Sequence, residues 1–498
     1  MRQVLSRRAA LLAGAGLLAG CETIEGFFGT SRSPLPGTRI AVLNQDQRTE
    51  LAADPGFNAA IVLPSPVIRA DWPQVGGTPG HAPGHLALGE TLAEAWRSGF
   101  GSGSGYRSRI TGAPIVAGDT VYVSDAFGVV SAFAVADGRR RWRFDTRRAN
   151  ESAGALGAGI AIDNGVLYVS TGLAELMALD PATATVQWRV DLPGPARGGM
   201  TVAGGRVMIP TSDQLYAFSI EDGRRVWSHR ASASPTAPLG TPSPAVEGDI
   251  AVAGFASGEV VALRVADGRV MWTESLAAAG RISLAEVSGI RALPVISEGR
   301  VVAVGMGGLS VAIDLRSGRR LWERELGGPN APYVVGDWVF AVSAAGEAAA
   351  ISRDDGRVRW VTAIAPARAA NRAAGLLATP VLASGLLQIG TSVGELVALN
   401  PLDGAIIARR RMPGGVTIQP AVAGGTMFVA TDDATLVALR ASAYRPGGVA
   451  PQTPHRGMEA SPGPPHLLVP WMGEGLRFAG GEPGLGGAHG APVSRELP

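Results

Sequence analysis

The sequence predicts an all-β protein: an eight-bladed β-propeller with four-stranded blades, closed by an N-terminal strand. Three observations carry this expectation. A short unit recurs eight times, made of an apolar pair, a Gly turn, an alternating Val/Tyr/Ile strand, a second turn and an Ala-Leu or similar dipeptide. A Gly-x-x-x-Trp strand or a close variant follows seven of the copies. The strand count leaves one strand missing at the end of the array and one left over at its start. Self-similarity at such a period is the signature of a repeat architecture.

The dipeptides are read at Ala132-Phe133, Ala178-Leu179, Ala217-Phe218, Ala262-Leu263, Ala312-Ile313, Ala349-Ala350, Ala398-Leu399 and Ala438-Leu439. Behind them stand Trp142, Trp188, Trp227, Trp272, Trp322 and Trp360, spaced by 46, 39, 45, 50 and 38 residues, near the length of a four-stranded blade. Segments such as Val301-Val-Ala-Val are β-branched and flanked by Gly, which marks short strands between turns. Asp-Gly pairs supply the positive φ of a tight hairpin. Each Trp is expected to stack one blade on the next, because a lone four-stranded sheet cannot bury both faces. The seventh unit carries Ala408 where Trp is expected. The eighth has three strands, and Leu92-Ala-Glu-Ala-Trp96 is the spare strand that would complete it and hide an open edge.

The rest of the chain divides around this ring. The expected organisation is a signal peptide over 1–20, a tether and N-terminal extension over 21–89, the propeller over 90–440 and a disordered tail over 441–498. The basic start, Met1 to Arg8, precedes an apolar stretch from Ala9 to Leu18 that is too short to span a bilayer. Leu18-Ala19-Gly20-Cys21 then resembles a bacterial lipobox, which makes Cys21, the single cysteine, the expected lipidation site. Its acyl chains would hold the protein to a membrane. Ser6-Arg7-Arg8 also resembles a twin-arginine signal, so either export route fits. In the extension, Gly37–Leu43 and Ala59–Leu63 read as possible strands, and His81 and His85 as loop residues without a third metal ligand nearby. Residues 445–498 hold 10 Pro and 12 Gly among 54, a composition that cannot offset the entropy of ordering.

Composition excludes some functions. All 44 basic groups are Arg, but 42 acids accompany them, and a net charge of +2 gives no nucleic-acid footprint. No nucleophile constellation, carboxylate pair or metal cluster stands out, and acids such as Asp137 and Asp267 are hairpin residues, so neither catalytic residues nor cofactors are expected.

The strand, Gly turn, Ala-Leu-Asp and Gly-x-x-x-Trp pattern resembles the PQQ-type propeller repeat. With the lipobox and closing strand, it is similar to the BamB family of outer-membrane assembly lipoproteins. Ile40-Ala-Val-Leu-Asn-Gln-Asp-Gln and Asp71-Trp-Pro-Gln-Val-Gly-Gly resemble its alphaproteobacterial branch. That resemblance implies a non-catalytic scaffold, anchored in the outer membrane and facing the periplasm, where Glu22 after the cysteine does not signal inner-membrane retention. It implies docking on the POTRA domains of the barrel subunit, with unfolded outer-membrane proteins as further partners. The competing resemblance is to PQQ-dependent periplasmic quinoproteins, which bring a Cys-Cys pair, a calcium site and an Asp base; the mature region here has no second cysteine. The family's docking stretches fall by register at Thr236–Leu239 and near Ile290-Arg291-Ala292, where the family's Leu pair, Arg and acids are not retained. Both lie in the long loops Ala231–Pro242 and Ala277–Leu293. Leu239 is the expected apolar anchor, with Arg281 and Arg291 as charged neighbours.

Overall fold

The computed structural model describes residues 51–89, 91–106, 108–148, 157–196, 198–211, 213–234, 240–276, 289–364 and 376–442. Among them, eight four-stranded antiparallel sheets follow one another along the chain. Blade one spans 115–144, blade two 158–191, blade three 201–230 and blade four 245–275. Blades five, six and seven span 295–324, 333–363 and 381–411. Blade eight takes three strands from 421–441 and its fourth from Leu92–Gly99. The closing strand pairs antiparallel with Thr435–Ala441, so the spare strand and the missing strand complete each other as expected. The first strand of each blade lies innermost, where neighbouring blades meet. It is three residues long in seven blades and mostly buried, whereas the fourth strands are largely exposed.

Register explains the repeat. The Ala of each dipeptide sits opposite the Trp of the fourth strand: Ala132 opposite Trp142, Ala262 opposite Trp272, Ala312 opposite Trp322. A bulge follows every one of these pairs. A small residue is needed there because the indole lies over it toward the next blade. Blade six corrects the sequence reading by one residue, since Ala350, not Ala349, faces Trp360 and the dipeptide is Ala350-Ile351. In blade seven Ala398 faces Ala408, and in blade eight Ala438 faces Trp96.

Six of the indoles then donate to a carbonyl of the following blade. Trp227 donates its Nε1–H to the Val265 carbonyl at 2.8 Å, Trp272 to Leu315 at 2.7 Å and Trp360 to Pro401 at 2.9 Å. For these three, the turn that offers the carbonyl also carries the glycine that covers the ring. At Gly268 φ is +72°, and a Cβ there would stand 2.6 Å from the Trp227 ring. Glycine therefore meets two demands at once, a left-handed backbone and a contact too close for a side chain.

The N-terminal extension, expected as a tether lying partly against the propeller, does lie against it but lacks one expected strand. Ala59–Leu63 forms no strand; it is extended chain lying along blade six. Asp54 pairs its backbone N–H and side chain with Val358 of that blade's outer strand, while Phe57 packs 6.1 Å from Trp338. Residues 69–86 then form a strap around the inner ring and meet the blades in ring order. Arg69 meets blade eight through Gly424 N–H (2.7 Å), and Trp72 exchanges two 2.8 Å bonds with Val116 of blade one. Pro73 accepts from Ile162 of blade two, the Gln74 side chain from Val202 of blade three, Pro79 from Val246 and Gly80 from Ile296. Gly84 accepts from the Tyr333 hydroxyl of blade six, and Leu86 bonds Leu382 and Ser384 of blade seven. The strap supplies acceptors for inner-strand N–H groups that no neighbouring blade reaches. Trp72 and Leu86 are buried in the largest core cluster, which joins blades six, seven, eight and one. This part of the expected tether is thus built into the propeller.

Candidate functional site

Opposite the strap, the loops that enter the innermost strands surround a central funnel of about 490 Å³. Its floor includes Val75 of the strap. Its wall takes Ile110 ahead of blade one, Thr241 and Pro242 ahead of blade four, Leu293 ahead of blade five and Leu377 ahead of blade seven. Tyr106, fully exposed, and half-exposed Leu376 stand at the mouth.

Two arginines enter this space, Arg109 and Arg291. Arg291 sits on a loop fixed by its neighbours: Ile290 donates its N–H to Phe255 at 2.9 Å, and Ile290 and Ala292 are both buried. Burial, and then the positive charge of Arg109, lowers the Arg291 guanidinium below its ordinary range. Among the described lining residues there is no carboxylate, imidazole or thiol, the side chains that most often anchor a divalent cation. No group of three such residues that could hold a metal ion occurs among the described residues. The two loop histidines have other partners. His81 Nδ1 bonds the Pro294 carbonyl at 2.7 Å; His85 bonds Pro64 O at 2.7 Å and accepts from Gly385 N–H at 2.8 Å.

Of the expected site residues, the structure places Arg291 on the funnel wall, while Cys21, Leu239 and Arg281 lie outside the described residues. The stems of the loop that carries Leu239 are held firmly. Ser232 donates from its N–H and hydroxyl to Glu259 at 2.7 and 2.8 Å, and Thr241 bonds the Pro210 carbonyl at 3.2 Å. Sequence reading missed Tyr106 and Arg109. The signal available was a Gly/Ser-rich stretch, Gly101 to Gly105, that breaks into Tyr106 and Arg109 just where the closing strand hands over to blade one.

The same ring is found in known proteins. BamB from Moraxella catarrhalis superposes with a TM-score of 0.61 at 20% identity, covering 70% of this chain and all of that one. Quinohemoprotein alcohol dehydrogenase from Comamonas testosteroni gives 0.60 at 14% identity, over 76% of this chain and 82% of its own. At these identities both likenesses speak for the fold alone. Sequence separates the two. Outer membrane protein assembly factor BamB of Salmonella typhimurium is 29% identical over 357 residues, covering 70% of this chain and 89% of that protein. The Xanthomonas campestris protein of the same name is 26% identical over 449 residues, 88% of this chain and 99% of its own. A family model described as outer membrane protein assembly factor BamB matches residues 87–154, 126–362 and 366–443, well over half of the sequence. By that match, which runs through all eight blades and the strand that closes them, the chain belongs to the family of the outer membrane protein assembly factor BamB.

Proposed function

We propose that this chain is a non-catalytic scaffold of outer-membrane protein assembly, lipid-anchored through Cys21 and facing the periplasm, which docks on the POTRA domains of the barrel subunit. The observation that carries the reading is the family match across the whole ring. The physical form of the ring supports it. A propeller whose indoles, strap and closing strand fix every blade presents loops on a rigid frame, and loops on rigid frames are where binding concentrates. The loops entering blades four and five are long, and their stems are anchored.

The dehydrogenase likeness is one of fold. Among the described lining residues there is no carboxylate to hold a calcium ion such as quinoproteins use, which favours the scaffold reading over the dehydrogenase one. Affinity purification of the intact chain from detergent-solubilised envelope, with mass spectrometry of what comes along, tests the proposal. Recovery of the barrel subunit at near-equal stoichiometry is the expected result; a purification that brings none of it down overturns the scaffold reading.

A further inference from the structure

The central funnel is a built cavity whose wall takes the inner ends of the loops entering blades four and five. Its volume of about 490 Å³ lies inside the range of roughly 300–1,000 Å³ in which small-molecule sites fall. Such sites combine an apolar wall with a few convergent polar groups, and this one has that make-up. Val75, Ile110, Leu293 and Ile418 provide apolar surface, and Arg109 and Arg291 bring positive charge. Thr241, Thr379, Asn330 and Gln419 add polar side chains to the lining. The two guanidiniums are near enough for one charge to disfavour the other. An anion between them reverses that repulsion, and a carboxylate suits the planar fork of a guanidinium.

We propose that the funnel binds an apolar molecule ending in a carboxylate, with the anion held at Arg109 and Arg291 and the apolar body against Val75, Ile110 and Ile418. Two sources share this chemistry: a free acyl acid, or the C-terminal residue of a polypeptide. The proposal does not depend on docking to the barrel subunit.

Fluorescence titration of the full chain with four probes tests it. They are 11-(dansylamino)undecanoic acid, its methyl ester, and dansyl-Ala-Leu-Phe with a free or an amidated C-terminus. At least one acid is expected to bind saturably at one per chain, on the order of tenfold tighter than its neutral counterpart, as a charge-assisted hydrogen bond to a carboxylate gives. Arg109→Gln, in an exposed loop, should erase that preference and leave the neutral probe unchanged. Leu376→Trp at the mouth should weaken acid and neutral probe alike. Which acid binds tells the two sources apart. No saturable binding of either acid, equal affinity for acid and neutral forms, or an acid preference that survives Arg109→Gln overturns the proposal. Insensitivity to Leu376→Trp would place the probe elsewhere and overturn it as well. Co-purification of the barrel subunit is a separate readout, so failure here leaves the docking proposal standing.

Discussion

Trp96 of the closing strand donates its indole N–H to the carbonyl of Val135, 3.0 Å away in blade one. The last blade is therefore locked to the first by the same bond that links blades in the middle of the array, although the tryptophan comes from before the first blade in sequence. Arg440, on the strand beside it, bonds the same Val135 carbonyl.

Removing that strand should open the ring. Deletion of residues 90–100 exposes the edge of Thr435–Ala441 and removes the Trp96 contact, so the melting temperature should fall far more than on deletion of residues 445–498. Trp96→Ala alone should cost about 2–3 kcal/mol, less than a fully buried tryptophan because this one is partly exposed. Equal melting temperatures for the two deletions would contradict closure by strand exchange.

The turns over the indoles give a second test, with opposite signs at two places. Blade two lacks the turn glycine, and Ala184 takes its position with φ at +60°. Ala184→Gly removes a left-handed strain of about 1–2 kcal/mol and adds a chain-entropy cost of about 0.5–1 kcal/mol, so stability should rise by roughly 0.5 kcal/mol. Gly268→Ala meets the same strain and pushes on the Trp227 ring, so it should lose about 2 kcal/mol or more. Urea midpoints of the two variants check both signs.

The ring was legible because its determinants are local and repeated. A turn glycine, an alanine and a tryptophan at fixed offsets report a blade interface directly, and the imbalance of strands at the two ends reports the closure. In blade six three alanines in a row, Ala348 to Ala350, gave no size contrast to mark which one faces the indole, hence the one-residue slip. The strap was not legible for a different reason. It makes one or a few hydrogen bonds to each of eight blades far away in sequence, and such contacts leave no period. The signal it did leave was Trp72 followed by Gly76, Gly77 and His81 in a Pro-rich stretch. A tether has no use for that combination, but a chain folding tightly on a buried ring does. The funnel was hidden for the same cause, since Arg109 and Arg291 are separated by four blades and meet only because the ring closes.

His81 makes the strap sensitive to pH. It is buried, and burial holds its imidazole down at about 4 from the ordinary 6.5. The neutral form is favoured in the folded state, so its contribution is complete above pH 6.5 and is lost as pH falls toward 4. The loss should be on the order of 3 kcal/mol. His81→Asn tolerates the φ of +60° and cannot titrate. The variant should therefore lose less stability than the parent between pH 7.5 and pH 4.5, read from urea midpoints. Parallel pH profiles would show that His81 does not titrate with folding.

Anchoring is tested at the other end of the chain. Cys21→Ser removes the expected lipid attachment point, and among the described residues no helix is long and apolar enough to cross a membrane. The variant should leave the membrane fraction for the soluble fraction on cell fractionation. A variant that stays with membranes after a high-salt wash would overturn the lipoprotein reading.

Docking separates two residues that the sequence put together. Leu239 belongs to the loop entering blade four, whereas Arg291 stands on the funnel wall between the buried side chains of Ile290 and Ala292. An apolar anchor at the centre of an interface is costly to replace by a charge, on the order of 2 kcal/mol or more. Leu239→Asp should therefore reduce co-purification of the barrel subunit at least tenfold while the melting temperature holds. Arg291→Glu reverses the charge at a funnel-wall position close enough to Arg109 to feel its field, away from the part of the blade-four loop that carries Leu239. It should change co-purification less than Leu239→Asp does. If Leu239→Asp retains the barrel subunit and Arg291→Glu loses it with an unchanged melting temperature, the partner enters the funnel, and the interface must be redrawn around the central cavity.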